Sequence, residues 1–371
     1  MTNFFIIGKV YFITMLYRYY RDSNGQPDTK ATLYEKQDHG IARDRIDSDA
    51  ERICARLKSH GHEAYIVGGA VRDLLLGNEP KDFDIATDAA PNRVKKIFYN
   101  ARIIGRRFRL VHIYFKDGKI HEVATFRALE STGENHIFGT LDEDVMRRDF
   151  TMNALYYDPA AEIIVDFVGG MKDIRRRVVN SVLPLDTSFR EDPVRMLRAV
   201  KYAAMANFKI SAPVKKRIRK ESALLADAST SRLSEELNKI LCCGKMYPVF
   251  RGLDRYKLLP IFLPNLDSAF CRQSGGQALK EAFFANLAEL DNKMTHNEIS
   301  RGAILRGITE NMLESCGAFQ GEEGRPPHAF DVVRELKSLL RPLIQPNVWV
   351  DEAVRLMFTD RGWKFPRRRR K

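Results

Sequence analysis

Cysteine is scarce in this 371-residue sequence, and its spacing argues against the commonest metal sites. The five cysteines are scattered and none forms a Cys-x-x-Cys pair, so no zinc site is expected. Their odd number predicts reduced thiols, and reduced thiols indicate a cytoplasmic location.

A long apolar run is also missing. An apolar and aromatic stretch covers Phe4–Tyr20, but Lys9 and Arg18 interrupt it, and it is too short for a confident membrane span. It also lacks the small-residue cleavage site of a signal peptide. We therefore expect no membrane partner. Residues 1–47 are interpreted as a flexible extension, and a translation start at Met15 would delete most of the apolar stretch.

Acidic residues are too few to balance the basic ones. Lysine and arginine number 61 against 48 aspartates and glutamates, which gives a formal net charge of +13. This balance favours a polyanionic partner, although a basic surface can also serve solubility alone. Hydrophobic residues make up 44% of the chain, which is enough for packed cores and argues against global disorder.

The apolar pattern changes after Pro184. Before it, short strands and helices alternate, including a helix over Ser48–Ser59 and strands over Ala64–Val67 and Asp82–Ala86. After it, helical periodicity dominates, so the fold class is α+β, a small mixed or antiparallel sheet followed by an all-helical part. The predicted segments are an extension (1–47, with a loop over 21–45), a mixed α/β head (48–183), two helical segments (184–245 and 246–360) and a basic tail (361–371).

Two aspartates one residue apart, Asp82 and Asp84, follow a Gly68-Gly69 turn. Residues i and i+2 of a strand share a face, so the two carboxylates should lie side by side. Such a pair needs a compensating cation, and Mg²⁺ prefers oxygen ligands. Two ions could clamp the attacking and leaving oxygens of a phosphoryl displacement. Together with the turn, the pair predicts nucleotidyl transfer, although an isolated Asp-x-Asp pair is common on protein surfaces.

The glycine turn itself predicts phosphate binding. Gly68 and Gly69 let backbone amides approach a phosphate, and a helix that starts just after them adds a positive end. Arg72 could pair with phosphate oxygens. A plain strand-to-helix turn is the alternative.

A third carboxylate would help to hold two metal ions, and the sequence offers two candidates. Glu122 could lie beside the aspartates if their strands are neighbours, or it could be an edge-strand charge in water. Asp149 follows Arg147 and Arg148, and such a group could grip phosphate and a ribose hydroxyl or form a surface ion cluster.

A further group lies at the start of a predicted helix. Asp192, Arg195 and Arg198 are three residues apart and should share one helix face, where a carboxylate and guanidiniums could read the edge of a base. Asp192 before Pro193 is also a good helix cap, and the two roles are compatible.

Basic residues concentrate between residues 172 and 220. This segment has 14 lysines and arginines against 4 acids, a net charge of +10. Such density suits a track for a nucleic-acid backbone, although a solvated helix face is the alternative. The densest runs are Arg175, Arg176 and Arg177, and Lys215, Lys216 and Arg217.

Taken together, these motifs resemble those of the bacterial poly(A) polymerase and CCA-adding enzyme group, the class II nucleotidyltransferases. In combination the motifs are highly specific, and they cover about residues 60–210. The matching stretches are Tyr65–Ala86 (YIVGGAVRDLLLGNEPKDFDIA), Glu122–Arg127 (EVATFR), Arg147–Leu155 (RRDFTMNAL), Asp166–Asp173 (DFVGGMKD) and Arg190–Ala199 (REDPVRMLRA).

The resemblance implies a role for each matched residue. Asp82 and Asp84 would bind two catalytic Mg²⁺ ions, and Asp149 would complete the acidic set or hold the ribose. The triphosphate of ATP, the substrate, would be held by the turn and by Arg72, with Arg148 positioning the nucleotide. The base would be read by Asp192 and Arg195, with Arg198 in support.

One stretch separates the branches of this group. Residues 103–115 read IIGRRFRLVHIYF, which resembles the poly(A) polymerase branch. CCA-adding relatives usually carry Phe-Gly-Thr at the corresponding place, and Arg109 and Leu110 stand here instead of the Gly and Thr. The resemblance thus implies addition of AMP to RNA 3′ ends, with RNA and ATP as partners and no DNA. CCA addition to tRNA and an inactive RNA-binding adaptor are the alternatives.

Overall fold

The computed structural model describes residues 16–21, 27–105, 109–129, 137–321 and 325–366, with the backbone alone for 16–21 and 27–30. The chain divides into two compact units. The first contains the described residues up to Arg176 together with Asn180–Leu183, and the second contains Arg177–Val179 and the chain from Pro184 onward.

The first unit is built on one mixed sheet. Within the described residues the strand order is β1-β2-β9-β8-β3-β4-β7-β6-β5, and all neighbours are antiparallel except β4 and β7. The strands are β1 (Leu16–Arg21), β2 (Pro27–Tyr34), β3 (Ala64–Val67), β4 (Asp84–Thr87), β5 (Ala101–Ile104), β6 (Leu110–Tyr114), β7 (Ile120–Thr125), β8 (Tyr156–Asp158) and β9 (Ile163–Asp166).

The parallel pair positions the acidic residues. Ile85 of β4 pairs with Val123 of β7, so Asp84 and Glu122 each lie one residue before this pair. The apolar residues of β4 after Asp84 are fully buried, whereas Asp84 itself is exposed. The strand therefore begins with its carboxylate at the surface and buries its apolar part.

Short helices complete the first unit. In α2, the side chain of Asp47 accepts hydrogen bonds from the backbone N–H groups of Asp49 and Ala50, while Ile53 and Leu57 are buried. A capped helix with one apolar face is what this sequence favours. The helices are α1 (Lys36–His39), α2 (Ser48–Ser59), α3 (Gly69–Leu75), α4 (Pro91–Ile97), α5 (Leu141–Met146) and α6 (Gly170–Arg176).

Helices dominate the second unit, which also contains one short parallel strand pair. Its strands are β10 (Val178–Val179) and β11 (Lys209–Ile210). Its helices are α7 (Leu185–Glu191), α8 (Val194–Ala206), α9 (Ala212–Glu221), α10 (Thr230–Leu241), α11 (Met246–Arg255), α12 (Leu259–Phe262), α13 (Pro264–Phe270), α14 (Gly276–His296), α15 (Arg301–Ser315), α16 (Ala329–Leu339) and α17 (Asn347–Asp360).

Two kinds of contact hold the second unit together. Phe283 of α14 packs against Phe250 and Phe270 with ring centroids 5.4 and 5.3 Å away, which forms an aromatic core. Lys201 of α8 and Glu236 of α10 form a buried ion pair. Among the described helices, none is both long and apolar enough to cross a membrane.

The predicted α+β class is confirmed, and so are the helix over Ser48–Ser59 and the strand over Ala64–Val67. Two local predictions are wrong. The strand at the acidic pair begins at Asp84 rather than Asp82. Residues 27–34 form β2 instead of a loop, because they pair with β9. Residues 1–15 and residues 367–371 of the basic tail lie outside the described residues. The division at 245 stays a prediction.

Candidate active site

Three carboxylates gather where β4 and β7 begin their pairing. Asp84 is the first residue of β4, Asp82 precedes it by two residues, and Glu122 lies on β7 at the same level as Asp84. Asp82 precedes the strand, but Asp82 and Asp84 are both exposed and Phe83 between them is buried, so the two aspartates keep the alternation that the sequence predicted.

The pKa of Asp84 reflects the proximity of these carboxylates. Removal from bulk water raises the pKa of Asp84 to about 6, and the negative charges of Glu122 and Asp82 contribute to the increase. The positive charge of Arg148 opposes it. The side chain keeps an accessible surface, so water screens part of the repulsion. An oxygen-rich group with unbalanced negative charge fits a hard divalent cation such as Mg²⁺.

A histidine adjoins this acidic group. His112 of β6 pairs across the strands with Glu122, and its Nε2 lies 3.5 Å from the Glu122 carboxylate. Sequence reasoning did not single out this residue. The alternation of β6, in which half-buried residues flank buried Val111 and Ile113, could have indicated that His112 shares a face with Glu122.

The glycine turn lies against two arginines. Gly68 has φ +70°, a conformation that side chains rarely adopt. A Cβ atom built on Gly68 would lie 3.5 Å from Nη1 of Arg148, and one on Gly69 would lie 3.6 Å from Nη2 of Arg72. The structure thus brings these predicted phosphate-binding residues together. The following α3 has only seven residues, so the arginines supply most of the local positive charge.

Arg72 is held in place by neighbours on both sides. Its Nε donates to Asp73 at 2.8 Å, and its Nη1 donates to the side-chain oxygen of Asn153 at 2.9 Å. The side chain is almost fully buried. These bonds fix the guanidinium beside the turn, which lowers the entropy cost of binding an anion.

Asp144, which sequence reasoning missed, organises the arginines around it. Its Oδ2 accepts from Nη2 of Arg148 at 3.2 Å and from the Tyr156 hydroxyl, and its Oδ1 accepts from the backbone N–H of Arg127 at 3.2 Å. Arg147 lies 4.0 Å from the same carboxylate. The sequence signal for Asp144 was its position four residues before Arg148, a spacing that brings two side chains to the same side of a helix.

The arginine group carries more positive charge than Asp144 can balance. Burial lowers the pKa of Arg127, and repulsion from the positive charge of Arg148 lowers it further. The pKa of Arg147 is also lowered, first by burial and then by repulsion from Arg127. Burial alone would lower the pKa of Arg148, but the interactions of Arg148 with Tyr156 and Asp144 are stronger than this effect, so the pKa of Arg148 is raised. Three guanidiniums around one carboxylate favour a multiply charged anion.

Asp149 occupies a different environment. It is buried, and its Oδ1 accepts from the backbone N–H of Phe150 at 2.8 Å. The carboxylates that raise the pKa of Asp84 are Glu122 and Asp82. Of the two candidates for a third carboxylate, Glu122 is therefore the one with an electrostatic link to the aspartates.

A second polar group lies nearby. Among the described residues, Asp47, Asp49 and His121 have potential metal-ligating atoms within 4.8 Å of one another. Their charges are already compensated, because Lys119 Nζ lies 3.1 Å from Asp47 and Arg52 pairs with Asp49. This group fastens the start of α2 to β7.

The predicted base-reading residues lie in the second unit. Asp192 Oδ1 accepts from the backbone N–H of Val194 at 3.1 Å, and its other oxygen contacts Arg232 of α10. Arg195 donates to the carbonyl of Ser188 at 2.9 Å and lies 3.3 Å from Glu191. Asp192 therefore accepts a hydrogen bond from the first residue of α8 and also faces a guanidinium 40 residues away in the sequence, which no local pattern could indicate.

Arg198 lies on the same helix. Its Nη2 is 3.4 Å from the Tyr202 hydroxyl, and its guanidinium stands over the Tyr202 ring at 5.8 Å. The described contacts thus align a carboxylate and two guanidiniums along the first turns of α8.

The predicted RNA-binding residues are separated by the structure. Arg175 and Arg176 end α6 in the first unit, whereas Arg177 belongs to the second unit. Lys216 is exposed and Lys215 half-buried, but Arg217 is engaged by Asp186 and Glu221. The two runs are thus not equivalent positive surfaces.

Two protein-family models match the chain. The Poly A polymerase head domain matches residues 64–180, and the probable RNA and SrmB-binding site of polymerase A matches residues 207–270. The first match contains the acidic group and the glycine turn.

Individual proteins give the same picture. The chain is 40% identical to Poly(A) polymerase I of Salmonella typhimurium over 279 residues, which is 71% of this chain and 60% of that protein. It is 39% identical to the CCA-adding enzyme of Bacillus pumilus over 218 residues, 56% of this chain and 54% of that one. The chain thus spans less than two thirds of the length of these relatives.

A solved structure covers more of the chain. The Bacillus stearothermophilus CCA-adding enzyme in complex with CTP superposes with a TM-score of 0.57 at 28% identity. The match covers 85% of this chain and 83% of that structure, so the two-part architecture is common to both.

Proposed function

We propose, because the chain belongs to the family that includes bacterial poly(A) polymerases and CCA-adding enzymes, that it adds AMP units from ATP to RNA 3′ ends without a template. The RNA 3′-hydroxyl oxygen forms a bond to the α-phosphorus of ATP. The bond from this phosphorus to the β-phosphate oxygen breaks, and pyrophosphate leaves.

The observation that carries this proposal is an acidic group that lies next to an arginine group. Asp84 has a raised pKa beside Glu122 and Asp82, and the positive charge of Arg148 opposes the increase. Carboxylates that need a divalent cation and guanidiniums that need an anion together suit a nucleoside triphosphate.

Asp82 and Asp84, with Glu122 as a third carboxylate, would hold the Mg²⁺ ions. When bound, these ions would make the hydroxyl more acidic and neutralise charge on the leaving group. The three carboxylates fit this role because their mutual repulsion is relieved by a cation.

The remaining residues bind and orient. The Gly68-Gly69 turn and Arg72 would take the triphosphate, and the cations around Asp144 would complete its neutralisation. When the nucleotide is held rigidly, the entropy cost of aligning the reacting groups is met by the free energy of binding. Together with the stabilisation of charge, this alignment is the main contribution that such a protein makes. Asp149 would hold the ribose.

The base would be read on α8. Asp192 and Arg195 offer an acceptor and donors in a fixed arrangement, and Arg198 supports them. Adenine presents both a donor and an acceptor on its Watson–Crick edge, so this combination can bind it, whereas guanine presents an acceptor and a donor in the reverse order.

Incubation of the protein with labelled ATP or CTP and with two RNAs, a generic RNA and a tRNA without its CCA end, tests the proposal. Long adenylate tails on the generic RNA are expected. Strict addition to tRNA that stops after CCA would overturn polyadenylation, and tight RNA binding with no metal-dependent incorporation would indicate an adaptor.

CCA addition is the second candidate. The likeness to CCA-adding enzymes at 39% identity over 218 residues favours it. Against it stand Arg109 and Leu110, which replace the Gly-Thr usual in that branch. Residues 106–108 of the same motif lie outside the described residues. A cytoplasmic location stays a prediction.

A further inference from the structure

The second unit contains a cavity of about 640 Å³ that none of the predicted nucleotide-binding residues lines. It lies between the C-terminal part of α8, β11 with the start of α9, and α11. The residues that the argument uses are Val200, Phe208, Lys209, Tyr247, Arg251 and Arg255.

The floor of the cavity is apolar. Val200, Ala203 and Phe208 are 3%, 8% and 7% exposed. A Cβ atom on Gly252 would lie 2.5 Å from Val200 Cγ1, so α11 lies directly on α8 at this point. The floor is therefore fixed by the close packing of α11 on α8, and its apolar surface suits a flat apolar group.

The rim of the cavity is basic. Lys209, Arg251 and Arg255 are exposed, and Lys215 is half-buried. The carboxylate in the lining belongs to Asp254, and its Oδ1 lies 2.7 Å from Lys280 Nζ, which neutralises it. The cavity thus combines an apolar floor with a net positive rim, as expected for a base and its flanking phosphates.

An exposed aromatic ring stands at the edge. Tyr247 is 39% exposed, and its ring meets Phe284 edge-to-face with centroids 6.1 Å apart. The Asp291 carboxylate accepts from the backbone N–H groups of Met246 and Tyr247 at 2.7 and 2.8 Å, which fixes the start of α11. An exposed ring on a fixed backbone is prepared for stacking.

This cavity is distinct from the base-reading face of α8. Side chains turn by about 100° per residue along a helix, so Val200 and Ala204 point about a third of a turn or more away from Arg195. Ala204 also lies about 13 Å further along the axis. A nucleotide read by Asp192 and Arg195 cannot occupy the cavity, so an occupant would be a second one.

We propose that this cavity holds one nucleotide of the bound RNA strand, with its base against Tyr247 and the apolar floor and its phosphates at Lys209 and Arg255. The proposal deepens the proposed function, on which it rests. It is supported by charge complementarity with a polyanion and by the family match over residues 207–270, which includes most of the lining. A protein partner would be the other class of occupant for that region.

The stacking part is tested with a fluorescein-labelled oligoadenylate and the full chain, without ATP, by fluorescence anisotropy. Tyr247→Ala should weaken binding about 5- to 100-fold, because stacking on an aromatic ring contributes strongly for each base. Tyr247→Phe, the matched control, should bind like the wild type. Equal affinity for all three proteins would overturn the proposal.

The phosphate part is tested by the salt dependence of the same binding. For Lys209→Ala/Arg255→Ala, the slope of log affinity against log salt should decrease by about 0.7 for each phosphate of the single strand that the variant no longer neutralises. The control Lys293→Ala/Arg334→Ala removes the same two residue types from exposed positions on α14 and α16. An unchanged slope in the first variant, as a protein-docking surface would give, would overturn the proposal.

Crosslinking covers the case in which a variant fails to fold. An oligoadenylate that carries one 4-thiouridine, irradiated with the wild-type protein, should attach to the peptide with Tyr247, and attachment only elsewhere would overturn the proposal. Binding needs no AMP transfer, so the two proposals fail separately. If the protein incorporates AMP but its cavity variants bind RNA normally, only the cavity proposal is rejected. If the cavity variants lose RNA binding but the wild-type protein incorporates no AMP, only the proposed activity is rejected.

Discussion

Asp84 and Glu122 lie at the same level on two neighbouring parallel strands, each one residue before the paired Ile85 and Val123. They are 38 residues apart in the sequence, and Glu122 contributes to the raised pKa of Asp84. Because β4 and β7 are parallel, the two carboxylates lie at the same end of the pairing between these strands.

The first prediction concerns this acidic group. Asp84→Asn and Glu122→Gln should each lower the rate of AMP incorporation at least about 100-fold, because metal-binding carboxylates position the reacting charges. RNA affinity should be unchanged, since neither residue is expected to contact RNA. Single-turnover incorporation and anisotropy measure the two effects. Asp117→Asn, in the turn between β6 and β7, is the control, and near-normal incorporation by Asp84→Asn would reject the metal assignment.

The second prediction concerns stability against pH without divalent ions. The pKa of Asp84 in the folded protein, about 6, lies above its ordinary value of 3.8, so folding takes up a proton between these values. Ionised Asp84 therefore lowers the free energy of unfolding above that window, and the penalty disappears as the pH falls through it. Asp84→Asn should be more stable than the wild type at neutral pH, by about 1 kcal/mol because water screens an accessible carboxylate.

Denaturant unfolding in the presence of EDTA, at neutral pH and near pH 4, checks this sign. The two stability curves should converge at the acidic end. Asp117→Asn should show no such pH-dependent gain, and a constant difference between Asp84→Asn and the wild type would contradict the prediction.

The third prediction concerns the arginine group. Arg147→Gln should raise the KM for ATP about 10- to 100-fold, because the variant cannot make a charged hydrogen bond to phosphate. It should not lower the melting temperature, since burial and Arg127 already oppose the charge of Arg147. Steady-state kinetics and thermal melting give both values. Arg93→Gln on α4 is the control, and an unchanged KM in Arg147→Gln would show that the group serves the fold alone.

The fourth prediction concerns base selection. Arg232→Ala removes the partner of one Asp192 oxygen and should narrow the preference for ATP over GTP about 5- to 30-fold, because a correctly oriented acceptor binds the exocyclic amino group of adenine but repels the O6 oxygen of guanine. Lys239→Ala, on the same α10 and paired with Glu235, should leave the preference unchanged. The ratio of kcat/KM for the two nucleotides is the measurement. Equal ratios in the two variants would remove Arg232 from the selection of the base.

Local sequence patterns predicted much of the head correctly. The cap at Asp47 and the apolar positions of α2 determine that helix, and the run Ala64–Val67 is a fully buried strand. The positive φ of Gly68 also follows from local rules, since only glycine adopts it readily. The start of β4 was misplaced because Asp82 and Asp84 follow the strand alternation, whereas pairing with β3 begins only at Asp84.

Long-range partners were beyond those rules. Asp144 collects Arg127, Arg148 and Tyr156 from three parts of the chain, and Arg232 reaches Asp192 across 40 residues. No periodicity encodes such pairs, because each depends on how separate elements pack. The prediction of a loop at β2 failed for the same reason, because these residues form a strand by pairing with the distant β9.

The sequence by itself determined which residues are candidates for the chemistry, because the acidic pair, the glycine turn and the arginine-rich stretches are local groupings whose spacing is written in the chain. Only the tertiary structure decided how they cooperate. It selected Glu122 as the carboxylate that acts on Asp84, set three guanidiniums around Asp144 and formed a basic cavity on α8 and α11. The physical reason is that charge and burial act through space, so their effects depend on distances that the order of residues does not contain.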